Sequence, residues 1–243
     1  MNMRMIAAVA LMLTLTAFAA DPGTGDSFKG PLGLQLYSLR AEFMSAGVGP
    51  TLDKVKGYGI KYVELAGTYN LPAEKFKAML DERGLVPVSG HFGYDRYKND
   101  PEGVAKEAKA LGLKYAGCAW ITHKSPFDEK AAREAAAVFN KAGEVLAKEG
   151  IQVFYHVHGY EFQSHGEGTL FDLFVNETKK EFVGLQMDVL WVVFPGQDPA
   201  KLLEKYAGRW VSMHLKDLKK GVAVGSHSGK TDVKNDVVLG TGQ

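Results

Sequence analysis

Short apolar runs recur along this chain, each introduced by a glycine and an aliphatic residue: Gly33-Leu34, Gly59-Ile60, Gly84-Leu85, Gly112-Leu113, Gly150-Ile151 and Gly184-Leu185. Another run, Trp210 to Leu215, opens just after Gly208. Their length and aliphatic content are those of strands. From Gly59 onward each glycine is expected to take the left-handed conformation that ends a helix and turns the chain into a strand. Between the runs, Asn70-Leu71-Pro72, Asp100-Pro101 and Asp198-Pro199 place a capping side chain before a proline at a first helical turn. Ala131 to Lys148 is rich in Ala, Glu and Lys and has the length of a helix. Such alternation predicts parallel strands joined by right-handed crossovers. No Gly-rich phosphate loop follows the first run, so the pattern favours an α/β fold of the (β/α)8 TIM-barrel type over an open Rossmann-like sheet. The barrel is expected over residues 32–243. Asp236 to Leu239 could form a strand, but Gly240-Thr241-Gly242 follows at once. A complete barrel takes about 250 residues, so the expectation is a barrel truncated before its eighth βα unit.

The first residues follow a different rule. Arg4 precedes an apolar run from Met5 to Leu15, and Ala17-Phe18-Ala19 forms a small-x-small site before Ala20-Asp21. This layout predicts a secretory signal peptide over residues 1–20, followed by a Gly/Pro/Asp linker over 21–31. Export to the periplasm or the medium is therefore expected, with no membrane anchor. Cys118 is the single cysteine, which excludes an internal disulfide and suggests a buried, inert thiol.

Of 243 residues, 46% are hydrophobic and 23% charged, enough for a full core. Without Arg4 the 29 basic residues become 28, matching the 28 acidic ones. That balance, with no basic block, argues against a nucleic-acid partner.

The predicted strands end in polar residues, and barrel enzymes keep their sites at those ends. The second run ends in Glu64, the third in His91, the fourth in Trp120 with His123 beyond. The fifth, IQVFYHVHGYEF, carries His156 and His158 on one face by two-residue alternation, with Glu161 just past its end. The sixth ends in Asp188, whose charge in a buried strand needs a partner or a metal. The seventh ends in His214, Lys216 and Asp217. Imidazoles and carboxylates gathered at one rim bind metals or move protons. Packing alone explains a lone histidine; it does not readily explain three adjacent strands that each bring ionisable groups to one rim. Glu64 and His123 could equally be structural, and Lys216-Asp217 a solvated ion pair.

The stretches LGLQLYSLR (32–40), GIKYVEL (59–65), VSGHFGY (88–94), FYHVHGYEF (154–162), GLQMDVLW (184–191), HLKD (214–217) and LGTGQ (239–243) resemble the xylose isomerase-like TIM-barrel family, the sugar phosphate isomerases and epimerases. HLKD and the YHxHxxEF stretch point to one branch of it. The resemblance implies one divalent ion, Mn²⁺ or Zn²⁺, held by Asp188 and His214. The family's strand-five ligand is a glutamate; here His156 stands in that place, with Glu161 five residues on as a substitute carboxylate. The strand-eight glutamate of the family has no counterpart in this sequence.

The function expected from these residues is a metal-assisted sugar isomerase or epimerase, moving a proton beside a carbonyl on an unphosphorylated sugar or keto-sugar. Glu161 and Lys216 are the expected catalytic groups; His156, Asp188 and His214 the metal ligands; His91, His158, Trp191 and Glu64 the substrate contacts. Alternatives are a lyase or hydrolase of an oxidised glycoside and a carbohydrate-binding protein without catalysis. Endonuclease action, known in relatives of the family, is disfavoured by the charge balance. The oligomeric state is not legible.

Overall fold

All seven glycine-led runs form strands, and all seven strands pair in parallel in one sheet. A computed structural model describes residues 30–243; the expected signal peptide and nearly all of the linker lie outside them. The strands are β1 (Gly33–Gln35), β2 (Tyr62–Leu65), β3 (Val86–His91), β4 (Tyr115–Cys118), β5 (Gln152–His156), β6 (Val183–Asp188) and β7 (Trp210–His214). They lie in sequence order, as right-handed βαβ succession requires. The sheet curls, one strand short of a closed eight-stranded barrel.

The helices follow as α1 (Arg40–Ser45), α2 (Val48–Gly57), α3 (Ala73–Asp81), α4 (Tyr94–Asn99), α5 (Pro101–Ala110), α6 (Glu129–Ala147), α7 (Leu170–Glu177), α8 (Val189–Val193) and α9 (Pro199–Lys205). Asp100 accepts from the Gly103 N–H and Asp198 from those of Ala200 and Lys201, so two of the three Pro-associated caps form as expected. At the third, α3 starts after Pro72 with no side-chain cap.

Gly59, Gly84, Gly112, Gly150 and Gly208 all have φ between 68° and 81°, the left-handed turn from helix to strand. Gly184 departs from the expectation. It lies inside β6, where a Cβ would meet Val211 Cγ1 at 2.6 Å, so its glycine serves a close approach between strands.

Asp236–Val237 also departs from the barrel pattern. It pairs antiparallel with Asp217–Leu218 as a two-residue ribbon outside the main sheet. A second small ribbon joins Ser164–His165 to Gly168–Thr169.

Residues Gly33–Gln243 form one compact unit. Along β5 the alternation is complete: Tyr155 packs its ring on Phe139 of α6 and Phe174 of α7, whereas Phe154 meets His91 inside the barrel. Cys118 is fully buried, and burial pushes its thiol up to about 12, so it is inert at neutral pH. No described helix is long and apolar enough to cross a membrane.

Candidate metal and catalytic site

The sheet register brings the polar strand ends into layers. Asp188 of β6 lies opposite His214 of β7, and His156 of β5 lies opposite Gln186 of β6. Side chains two residues apart share a face, so Gln186 sits one layer beneath Asp188, and Ser212, the partner of Gln186, beneath His214.

Asp188 is fully buried. Its Oδ1 accepts the Trp191 N–H at 3.3 Å and caps α8. Its Oδ2 makes no well-directed hydrogen bond. That oxygen is faced by Lys216 Nζ at 2.9 Å, His214 Nδ1 at 3.6 Å and His156 Nε2 at 3.8 Å. Burial alone would raise this carboxyl; His214 and Lys216 override it and hold it below the usual carboxylate range.

Each histidine is anchored through its other nitrogen. His214 Nε2 lies 2.7 Å from Glu64 Oε1, and His156 Nδ1 lies 2.8 Å from the Gln186 side-chain oxygen. Both acceptors take a proton from the ring, which turns each ring's other nitrogen toward Asp188. Ligating histidines are held in this way in metal proteins. His156, Asp188 and His214 present one ligand atom each within 4.8 Å of one another. The 3.6 and 3.8 Å gaps approach the roughly 3.4 Å between two ligands set about 2.1 Å from a tetrahedral ion. One carboxylate oxygen and two imidazole nitrogens, once any proton on them is displaced, are a donor set that suits a divalent metal.

The charges beneath the site are strongly coupled. Burial alone would raise Glu64, but His91, His214 and the Ser89 hydroxyl hold it far below the usual carboxylate range. Burial would lower His214 too; its bonds to Asp188 and Glu64 raise it to about 9. His156 goes the other way, kept well below the usual imidazole range by burial and by His214, His91 and His158.

The expected site residues fall into three groups. His156, Asp188, His214 and Lys216 converge. His91 and Glu64 lie below them: His91 Nε2 faces Gln186 at 3.2 Å and Glu64 at 3.3 Å. Both Glu64 oxygens are taken by protein groups, so the substrate contact expected of Glu64 gives way to anchoring of the histidines. His158 and Trp191 form a wall, their rings stacked 4.5 Å apart at 27°. Burial lowers His158 to about 4, so its imidazole is neutral at physiological pH. Trp120, 37% exposed, meets His158 edge-on at 5.1 Å.

Glu161 is the expected residue that the structure sets apart. Its Oε1 accepts the His158 backbone N–H at 2.8 Å, and it lies by the hydroxyl of Tyr155, whose ring faces the helices. The reason is the turn after β5: Gly159, at φ 96°, reverses the chain and returns Glu161 to cap its own loop. Burial raises its carboxyl to about 7. His123 stays outside the cluster as well, bonding Ile121 O at 2.7 Å and stacking on Trp120.

Ser89, Gln186 and Ser212 complete the lower layer and were not singled out from the sequence. A signal was present. Each sits two residues before a polar strand end (His91, Asp188, His214), and so on the same face.

Residues 52–243 match the model of the xylose isomerase-like TIM barrel family. The chain belongs to that family. An inosose dehydratase of Clostridium beijerinckii is 32% identical over 185 residues, which cover 68% of this chain and 61% of that protein. The chain spans about 60% of the length of the curated relatives it matches. A sugar phosphate isomerase/epimerase from Parabacteroides distasonis superposes with a TM-score of 0.68 at 27% identity, covering 79% of this chain and 81% of its own. The IOLI protein, crystallised with a zinc atom, shares the fold at 11% identity, with a TM-score of 0.61 over 86% of this chain and 79% of its own.

Proposed function

We propose that this family member is a metal-assisted enzyme that removes a proton beside the carbonyl of an unphosphorylated keto-sugar or cyclic keto-polyol and then expels water. The observation that carries this reading is the convergence of His156 Nε2, His214 Nδ1 and Lys216 Nζ on Asp188 Oδ2. Asp188, His156 and His214 would hold the ion, Mn²⁺ or Zn²⁺. When bound, it supplies Lewis-acid polarisation of the carbonyl and stabilises charge developing on its oxygen.

Lys216 is the proton-moving group within reach. In this reading its Nζ takes the proton from the carbon beside the carbonyl. The hydroxyl on the next carbon leaves, takes that proton from the Lys216 ammonium and departs as water, while the carbon–carbon double bond forms. Asp188 holds Lys216 in place at 2.9 Å. Neutral His158 and the faces of Trp191 and Trp120 offer a wall that accepts a hydroxyl proton and packs the apolar face of a ring.

Loss of water is preferred because the curated relatives are inosose dehydratases. Isomerisation or epimerisation is the second reading, favoured by the Parabacteroides likeness. It shares the first step, and Lys216 then returns the proton to carbon. The expected export, which would place the protein away from most sugar phosphates, supports the unphosphorylated substrate.

The test is incubation of the Zn²⁺- or Mn²⁺-loaded protein with a panel of keto-inositols and keto-sugars in D₂O, followed by mass spectrometry. A product lighter by one water supports dehydration. An isomer carrying deuterium beside the carbonyl supports the second reading. Binding without exchange or product leaves a carbohydrate-binding protein.

A further inference from the structure

Beneath the site lies a side chain that the proposed chemistry does not use. Gln186 has no exposed surface, yet every hydrogen-bonding position of its amide is filled. Its oxygen faces His156 Nδ1 at 2.8 Å and His91 Nε2 at 3.2 Å. Its nitrogen donates to Glu64 Oε2 at 2.7 Å and to Ser212 Oγ at 2.8 Å. Glu64 decides which way the amide points. Its Oε2 already accepts the Ser89 hydroxyl at 2.7 Å and its Oε1 faces His214 at 2.7 Å, so both carboxylate oxygens act as acceptors. Only the amide nitrogen can face them, which leaves the amide oxygen toward the imidazoles. An oxygen there requires the proton of His156 to sit on Nδ1.

We infer that Gln186 is a positioning residue: through its bonds to Glu64 and His156 it holds His156 in the Nδ1–H tautomer, leaving Nε2 bare toward Asp188 as a cation ligand. A free neutral imidazole favours the opposite tautomer, with its proton on Nε2, where it would block the metal. Because Gln186 also meets Ser212 and Glu64, a single amide ties the β5 ligand to the layer that anchors the β7 ligand. The metal part of this inference rests on the proposed function; the tautomer part does not.

The experiment is ¹H–¹⁵N long-range correlation NMR of the histidine rings in the metal-free protein, with Zn²⁺ titration calorimetry beside it. In the unaltered protein His156 should show a protonated Nδ1 and a bare Nε2. In Gln186→Leu its proton should move to Nε2, and Zn²⁺ affinity should fall about 10–100-fold. Ser212→Ala, which removes one bond to the amide nitrogen and leaves its oxygen untouched, should keep the His156 tautomer and affinity within twofold. A protonated Nε2 on His156 in the unaltered protein overturns the inference whatever the variants do, including a Gln186→Leu chain that fails to fold. A folded Gln186→Leu protein with an unchanged tautomer and affinity also overturns it. An unaltered protein that binds no Zn²⁺ sinks the metal reading instead, and the ring spectrum still decides the role of Gln186.

Discussion

Glu64 Oε1 and His214 Nε2 stand 2.7 Å apart across the barrel, although they are 150 positions apart in sequence. The carboxylate comes from β2 and the imidazole from β7, and the same glutamate takes Ser89 of β3 and Gln186 of β6 on its other oxygen. One buried anion therefore gathers donors from three other strands. Removing it leaves several buried polar groups without partners, and the loss of one partner of a buried pair costs about 3–5 kcal/mol. Glu64→Ala should lower the unfolding free energy in urea by roughly 3 kcal/mol or more. A loss below about 1 kcal/mol, within the range of exposed pairs, would show that the network is not held as described.

The buried Glu161 makes stability depend on pH. Its carboxyl rises from the ordinary 4.5 to about 7 in the folded chain, so the folded state keeps a proton that the unfolded chain has released. The contribution is fully present below pH 4.5 and is lost as pH rises through about 7, amounting to roughly 3 kcal/mol. Glu161→Gln stays neutral and escapes this loss. Its melting temperature relative to the unaltered protein should climb between pH 5 and pH 8; a constant difference across that range refutes the assignment.

Lys216 and a bound cation compete for Asp188 Oδ2, which Nζ already meets at 2.9 Å. Lys216→Met should slow deuterium exchange beside the substrate carbonyl by about 10²–10⁴-fold, the usual worth of a positioned acid–base group. Calorimetry should find Zn²⁺ affinity undiminished or higher. Exchange at an unchanged rate would move the proton transfer to another residue.

Space under the site is limited at Gly117 of β4. A Cβ there would stand 2.1 Å from Phe154 Cζ and 2.6 Å from His91 Cδ2. Gly117→Ala forces both rings to shift, and overpacking of this kind costs typically about 1–3 kcal/mol. The urea midpoint should fall accordingly, with the slope unchanged. A variant as stable as the parent would mean that the interior is looser than these contacts imply.

Much of the site was legible because the chain alternates. His156, Asp188 and His214 stand at the ends of apolar runs, where a charge has few packing explanations, and the family resemblance named the last two. Glu161 shows the limit of that reading. Its distance in sequence from His156 suggested a shared pocket, but a left-handed Gly159 turned it back onto its own backbone. Gln186 was hidden for the opposite reason. A neutral amide inside a strand reads as ordinary, and its importance comes from four partners on β2, β3, β5 and β7.

The sequence by itself determined the strand–helix alternation, the glycine turns between them and the polar strand ends, because these depend on contacts a few residues apart. Only the tertiary structure decided which polar ends meet. Sheet register and barrel curvature set those distances, and they join residues as remote as Glu64 and His214 through a buried charge network that no local pattern specifies.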